Sequence, residues 1–310
     1  MTKRILITGA AGYIGHQLGN RLAEHFSVIG TDLRARNDLH IPLKIVDVRD
    51  PALAELLQRE KITHVVHLAS VLQASPDRAR DYDIDVNGTR NVLDCCIKAG
   101  VQHLTVTSSG AAYGYHADNP AWIDEQDALR GNPEFAYSDH KRLIEEMLAD
   151  YRERHPQLRQ LIFRPGTVLG TDTRNQITDL FMAPRILALK GSDSPFVFIW
   201  DQDVIGAMAM GIRQDKTGIF NMAGDGALTM QDIARRLNKP LLTLPVWLVK
   251  AGLQIAKWRG KPTGPEQVNF LRFRPVLSNR RLKEEFGYPL AKTSVETFEY
   301  FVESNGLRNH

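Results

Sequence analysis

Residues Met1 to Gly15 read MTKRILITGAAGYIG, and this stretch decides the fold. Arg4-Ile5-Leu6-Ile7-Thr8 carries an unbroken apolar run, the pattern of a short strand buried on both faces rather than one. Glycines follow at positions 9, 12 and 15, and Tyr13 to His25 reads as a helix. Gly9 permits a tight turn out of the strand, Gly12 lets a diphosphate approach the backbone, and Gly15 lets the helix pack against the sheet. The N–H groups and positive dipole end of that helix then face the phosphates. A glycine-rich turn with no ligand is the competing reading. The strand before and the helix after are what a dinucleotide motif requires.

Moving outward, Ser27 to Thr31 reads as a second strand ending at Asp32. An acidic residue roughly 20 positions beyond the glycines is placed to accept hydrogen bonds from the ribose hydroxyls of an adenosine. Its charge repels a 2′-phosphate, so Asp32 favours NAD over NADP, with Arg34 and Arg36 close enough to soften that preference. Further strands read at Lys44 to Val46, Thr63 to Ala69, His103 to Thr107, Leu161 to Phe163 and Ile219 to Met222. Between them Asp50 caps a helix with Pro51 at its first position, and Val86 to Ala99 and Phe135 to Glu153 read as longer helices. Later helices read at Met230 to Leu237, capped by Thr229, then at Val246 to Trp258 and Arg280 to Phe286.

This alternation predicts an α/β fold, a doubly wound parallel sheet of Rossmann type with a smaller C-terminal substrate-binding region. The expected domains are 1–165 with a returning strand near 218–224, and a substrate region of 166–217 and 225–310. The second region is expected over the C-terminal edge of the sheet, where open parallel sheets bind ligands.

The 310 residues, 43% hydrophobic and 24% charged, suit a soluble globular protein with a sizeable core. A net charge of +3 without any Lys/Arg run argues against a nucleic-acid partner. The two cysteines, Cys95 and Cys96, are adjacent, so neither the usual disulfide nor a zinc site is expected, and a reducing cytoplasm fits. His64 and His67 share a strand, but no carboxylate or cysteine cluster supports them as metal ligands. The chain enters a strand almost at once and has no apolar run of spanning length, so neither a signal peptide nor membrane insertion is expected.

The catalytic candidates are Tyr137 and Lys141, four residues apart and so on one face of a helix. A free tyrosine has a pKa near ~10, and a nearby ammonium favours the phenolate, bringing the group toward working pH. Ser109, just past the fifth strand, is placed to hydrogen-bond a substrate oxygen and share developing charge. Tyr137 would give or take the proton while a hydride passes to or from a nicotinamide. A Tyr and a Lys at this spacing occur by chance on many helices; the dinucleotide signature upstream and Ser109 give the pair its weight.

With these residues in view the chain resembles the extended short-chain dehydrogenases/reductases, of the NAD-dependent epimerase/dehydratase family that includes UDP-galactose 4-epimerases. The matching stretches are Thr8 to Gly15, Asp47-Val48, His67 to Ser70, Asp85 to Leu93, Thr107 to Gly114, Tyr137 to Lys141 and Arg164-Pro165-Gly166. The resemblance implies NAD as cofactor, a small-molecule substrate and a homodimer through helices Val86–Ala99 and Phe135–Glu153. It implies that Tyr13 and Ile14 join the glycines around the cofactor and that Asp47 and Val48 bind the adenine. Leu68, Ala69 and Ser70 would line the phosphates and nicotinamide ribose, and Asn87 would brace the fourth strand. Thr107 joins the cofactor set, Ser109 aligns with the catalytic serine, and Lys141 would also hold the nicotinamide ribose. Arg164, Pro165 and Gly166 would lie by the carboxamide.

The substrate half departs from the sugar-nucleotide pattern. Thr167 stands where an asparagine contacts substrate, and Phe196-Val197 stand where an Arg-Asp pair grips the diphosphate, which removes a bidentate contact. Arg274-Pro275 resembles another arginine segment of those enzymes, and Arg174, Arg185 and Arg272 are further cations of this half. Three functions remain open at this point. They are an epimerase or dehydratase of a nucleotide-sugar, a dehydrogenase of a more apolar alcohol or ketone, and a non-catalytic dinucleotide sensor. The complete Ser109, Tyr137 and Lys141 set argues against the last. Val246 to Trp258 sets Lys250, Gln254 and Lys257 on one helical side; packing over the substrate pocket is the ordinary expectation, and a membrane surface the alternative. Trp122 to Glu125 reads as a loop near the substrate entrance.

Overall fold

The apolar run at the start becomes β1 (Arg4–Thr8), buried from Ile5 onward inside a seven-stranded sheet. A computed structural model describes residues 2–72, 75–259 and 264–308. The sheet continues with β2 (Ser27–Asp32), β3 (Leu43–Ile45), β4 (His64–His67), β5 (His103–Thr107) and β6 (Arg159–Pro165). Outside it lie β7 (Thr167–Leu169), β8 (Ile186–Leu189) and β9 (Phe198–Trp200); β10 (Gly218–Met222) returns to the sheet and β11 (Leu241–Leu244) follows. The strand order is β10-β6-β5-β4-β1-β2-β3, and the pairings from β3 through to β6 are parallel. The sequence switches sides after β3, so β4 pairs with β1, the doubly wound arrangement that leaves a crevice at the strands' carboxyl ends.

The helices are α1 (Tyr13–Ala23), α2 (Leu53–Arg59), α3 (Arg78–Tyr82), α4 (Gly88–Ala99), α5 (Ala136–Arg154) and α6 (Gln176–Met182). They continue with α7 (Asp201–Arg213), α8 (Met230–Arg236), α9 (Val246–Trp258), α10 (Val268–Arg272), α11 (Arg280–Glu284) and α12 (Ser294–Ser304). Two sequence expectations are corrected. Pro51 does not open a helix: Asp50 accepts the Ala52 N–H at 2.8 Å, and the regular helix starts at Leu53. The helix expected from Val86 begins eight residues earlier, because α3 and α4 are joined by a π-helical turn over Asp83–Asn87.

The chain forms two compact units. One comprises 1–109, 140–164 and 204–220; the other comprises 110–139, 165–203 and 221–310. Segment 110–139, expected with the dinucleotide domain, groups with the second unit because Tyr113 and Ile123 pack with Val197, Ala223, Val276 and Leu277. Segment 204–217, expected with the substrate region, moves the other way. The core of the first unit sets Leu53, Leu56 and Leu57 of α2, Val92 and Leu93 of α4, and Ile144 and Leu148 of α5 against Val65, Leu104 and Val106. The second unit is built on Phe181, edge-on to Phe196, Phe198 and Phe298. It carries two small parallel sheets, β7 with β9 and β8 with β11. Among the described residues no helix is long and apolar enough to cross a membrane.

Candidate cofactor and catalytic site

The turn out of β1 requires glycine for two separate reasons. Gly9 has φ +68°, and a Cβ on it would stand 2.8 Å from the Ala69 amide nitrogen. A Cβ on Gly15 would overlap the Gly9 carbonyl oxygen, so this glycine lets the helix close on the loop itself rather than on the sheet at large. Gly12 caps α1 in an extended conformation with no side-chain cap, and the first turn holds no acidic residue. The turn that starts with Tyr13 and Ile14 therefore presents its positive end without a competing carboxylate.

Asp32 is fixed against this loop. Its Oδ2 accepts the Ala11 N–H at 3.0 Å, and its Oδ1 accepts from Leu33 at 2.7 Å. Arg36 also reaches the loop, donating to the Ala11 carbonyl at 3.1 Å, but Asp38 pairs with it at 2.6 Å. Of the two cations that could welcome a 2′-phosphate, Arg36 is thus already paired with a carboxylate. Asp47 accepts from the Arg49 amide and guanidinium, and Arg49 reaches on to Asp83 at 2.8 Å. The Val48 side chain lies in the hydrophobic core and its carbonyl accepts from Asn91 at 2.7 Å.

The end of β4 is held by two buried networks. His67 lies between the hydroxyls of Thr8, at 2.7 Å, and Thr89, at 3.0 Å. Burial pulls its pKa down to about 4, with the charge of Lys141 adding to the effect. Past Leu68 and Ala69, the Ser70 hydroxyl and Val71 N–H both donate to Asp85, at 3.0 and 2.8 Å. The other Asp85 oxygen meets His140 Nδ1 at 2.9 Å. Asn87, expected to brace this strand, instead points to solvent and donates to Asp83 at 2.9 Å. Asp85 braces β4 in its place.

Burial alone would raise the Asp85 pKa. The His140 hydrogen bond, the Val71 amide, Lys141 and Ser70 outweigh it and hold the carboxyl below the usual range. A depressed carboxylate contributes stability that is present above its unfolded value, ~3.9, and lost as pH falls through the folded one. An Asp85→Asn variant should therefore lose stability at pH 7 and lose less than the parent on acidification below about pH 4. Urea midpoints measured across that range check it; parallel curves would contradict it.

Helix α5 carries the two catalytic candidates. Tyr137, Lys141 and Glu145 follow at intervals of four, on one face. Lys141 is buried and its Nζ donates to the Thr107 carbonyl at 3.3 Å, at the end of β5. The next residues, Ser108 and Ser109, are both buried, with the Ser108 N–H on the Phe163 carbonyl at 2.7 Å. Tyr137 stands one turn ahead of Lys141. Arg164, expected beside the cofactor, closes its fork on Glu145, Nε to Oε1 at 2.7 Å and Nη2 to Oε2 at 2.6 Å. The residue ties α5 to β6. Pro165 then ends the strand, and Gly166 runs so close to Val197 that a Cβ would stand 3.1 Å from its carbonyl oxygen.

In the second unit the sequence left Arg274 without a place. Its guanidinium lies 3.8 Å over the Phe196 ring and 5.3 Å from that of Phe270, and its Nη1 donates to the Ser194 carbonyl at 2.6 Å. It is 7% exposed, its Nε has no hydrogen-bond partner, and no carboxylate pairs with it among the described residues. Burial pulls its pKa down to about 9. Phe196 and Val197 are themselves core residues. Glu125, expected in an entrance loop, is buried and accepts the Asn221 N–H at 2.7 Å, while Tyr113 donates to the Asn221 side chain at 2.8 Å. Among the described residues no cluster of metal-ligating side chains forms. His140 and Arg274 each carried a signal: a titratable residue amid the Tyr137–Lys141 spacing, and an arginine set between Phe270, Phe273 and Pro275.

The sequence pattern of the NAD dependent epimerase/dehydratase family matches residues 5–222. An uncharacterized protein of Mycobacterium tuberculosis is 24% identical over 98% of this chain and 85% of its own length. The N-acetyl-alpha-D-glucosaminyl-diphospho-ditrans,octacis-undecaprenol 4-epimerase of Escherichia coli O157:H7 is 30% identical, over 58% of this chain and 53% of that protein. The crystal structure of Thermus thermophilus UDP-glucose 4-epimerase with NAD superposes with a TM-score of 0.74 at 22% identity, covering 97% of this chain and 98% of that one.

Proposed function

Because this chain belongs to the NAD dependent epimerase/dehydratase family, we propose that it binds NAD and epimerises or dehydrates a nucleotide-sugar by transient hydride transfer. The cradle fits the cofactor: Gly9 and Gly15 leave room that a Cβ would fill, and the uncapped start of α1 suits a diphosphate. Asp32 would take the adenosine ribose, Asp47 the adenine edge, and Leu68 to Ser70 with Lys141 the nicotinamide ribose. NAD, when bound, supplies the hydride acceptor. Tyr137 gives or takes the proton of the reacting hydroxyl, Lys141 favours its phenolate, and Ser109 donates to the same oxygen.

Arg274 carries the substrate class. A guanidinium taken out of water without a carboxylate is costly, and this one keeps a buried Nε–H with no partner, which supports an anionic substrate group as its complement. An apolar ketone would leave that cation uncompensated. The apolar Phe196 and Val197, which stand where an Arg-Asp pair would be, are spent on the core. The Escherichia coli relative acts on a diphosphate-linked sugar, which agrees with this reading.

Thermal shifts measured with NAD present test it. UDP, other nucleoside diphosphates and their sugars should raise the melting temperature, apolar ketones should not, and Arg274→Met should abolish the rise. Stabilisation by the ketones alone, with net accumulation of reduced cofactor, would favour a dehydrogenase. Asp32 gives a second expectation: calorimetry should show NAD binding at least about tenfold more tightly than NADP, the worth of roughly 1.4 kcal/mol. Equal or tighter binding of NADP would refute the role given to Asp32.

A further inference from the structure

Helix α9 was expected to pack over a pocket, yet none of its thirteen residues is buried. Trp247 is 70% exposed, Leu248 41%, Ile255 47% and Trp258 78%, and these are four of the ten large hydrophobic side chains exposed among the described residues. They are not scattered. At 100° per residue, Trp247, Trp258, Ala251, Ile255 and Leu248 fall in that order within one outward-facing arc. Lys250, Gln254 and Lys257 border the arc on one side, while Val246, Val249, Leu253 and Ala256 form the half-buried inner face. Gly252 has open space where its Cβ would be. A contiguous apolar face of this kind on a soluble fold marks an interaction surface.

The charge around it selects the partner. From Ile233 to Pro265 the chain has no acidic residue and seven basic ones. Of these, Arg235 pairs with Asp232, Arg236 with Glu299, and Lys239 donates to the Phe181 carbonyl. Lys250, Lys257 and Arg259 accompany the exposed face itself. A two-fold contact with a second copy would bring these cations to one interface with no carboxylate on the helix to pair them. An apolar arc with a tryptophan at each end, bordered on one side by lysines, is what a helix lying in a lipid headgroup layer needs.

We propose that α9 docks this protein on an anionic lipid surface, lying in the plane of the headgroups with Trp247, Leu248, Ile255 and Trp258 inserted. The proposal stands apart from the nucleotide-sugar reading and does not depend on it. Co-sedimentation of the full chain, with NAD, on vesicles of phosphatidylcholine alone or mixed with phosphatidylglycerol tests it. Three cations at such a surface correspond to on the order of a hundredfold preference for the anionic vesicles at low salt. Trp247→Ser/Trp258→Ser should weaken binding at least tenfold, and Lys250→Gln/Lys257→Gln should erase most of the lipid preference. Both variants change exposed positions, and an unchanged melting temperature confirms that they fold. Absence of binding to either vesicle, equal binding to both, or binding that the tryptophan variant retains would overturn the proposal. So would a lipid-free dimer, seen by sedimentation equilibrium, that the tryptophan variant dissociates.

Discussion

Tyr137→Phe is expected to reduce turnover by roughly two to four orders of magnitude, the usual weight of a positioned acid/base group. The substitution keeps the ring on the first turn of α5 and removes one hydroxyl, so packing and melting temperature should hardly move. NAD affinity should also persist, because the glycine cradle, Asp32 and Lys141 remain intact. Lys141→Met should behave differently. Lys141 is buried against the Thr107 carbonyl and is proposed both to favour the phenolate and to hold the nicotinamide ribose, so kcat and NAD affinity should fall together. Measuring kcat and the NAD dissociation constant for both variants separates the roles. Undiminished turnover in Tyr137→Phe would remove the tyrosine from the mechanism.

The residues legible in the sequence were those whose roles are local. The apolar run of β1, the three glycines and Asp32 all lie within one strand-helix-strand unit, so spacing alone placed them. The bounds of α9 were legible for the same reason. What spacing could not show was pairing at a distance. Asp85 and His140 are 55 residues apart, and only the packing of α5 brings them together. Nothing local distinguishes Asp85, which braces β4, from exposed Asn87 two positions on. Glu145 and Arg164 pair across a helix and a strand, a contact that no local pattern announces. The surroundings of Phe196 were illegible for a related reason. An apolar residue in place of an arginine says that a charge is gone, but whether the new side chain faces a ligand or a core is decided by Phe181, Phe198 and Phe298.

Glu145→Ala is expected to cost about 3–5 kcal/mol, because it leaves the Arg164 guanidinium buried without its counter-charge. Both side chains are at most 4% exposed, so water cannot replace the lost carboxylate without opening the contact between α5 and β6. The effect should reach function as well. Glu145 lies one turn beyond Lys141 and two beyond Tyr137 on the same face, so a helix released at this point loses the register that holds Lys141 at the end of β5. Denaturant midpoints should drop, and turnover should fall even at temperatures where the protein stays folded. The double variant Glu145→Leu/Arg164→Met separates charge from packing, since replacing a buried ion pair by apolar groups of similar volume is often neutral or stabilising. It should recover most of the stability and, with α5 again pinned, most of the turnover. If it recovered stability but not turnover, Arg164 would act on the cofactor directly. If Glu145→Ala alone proved neutral, the pair would not be what holds α5 in place.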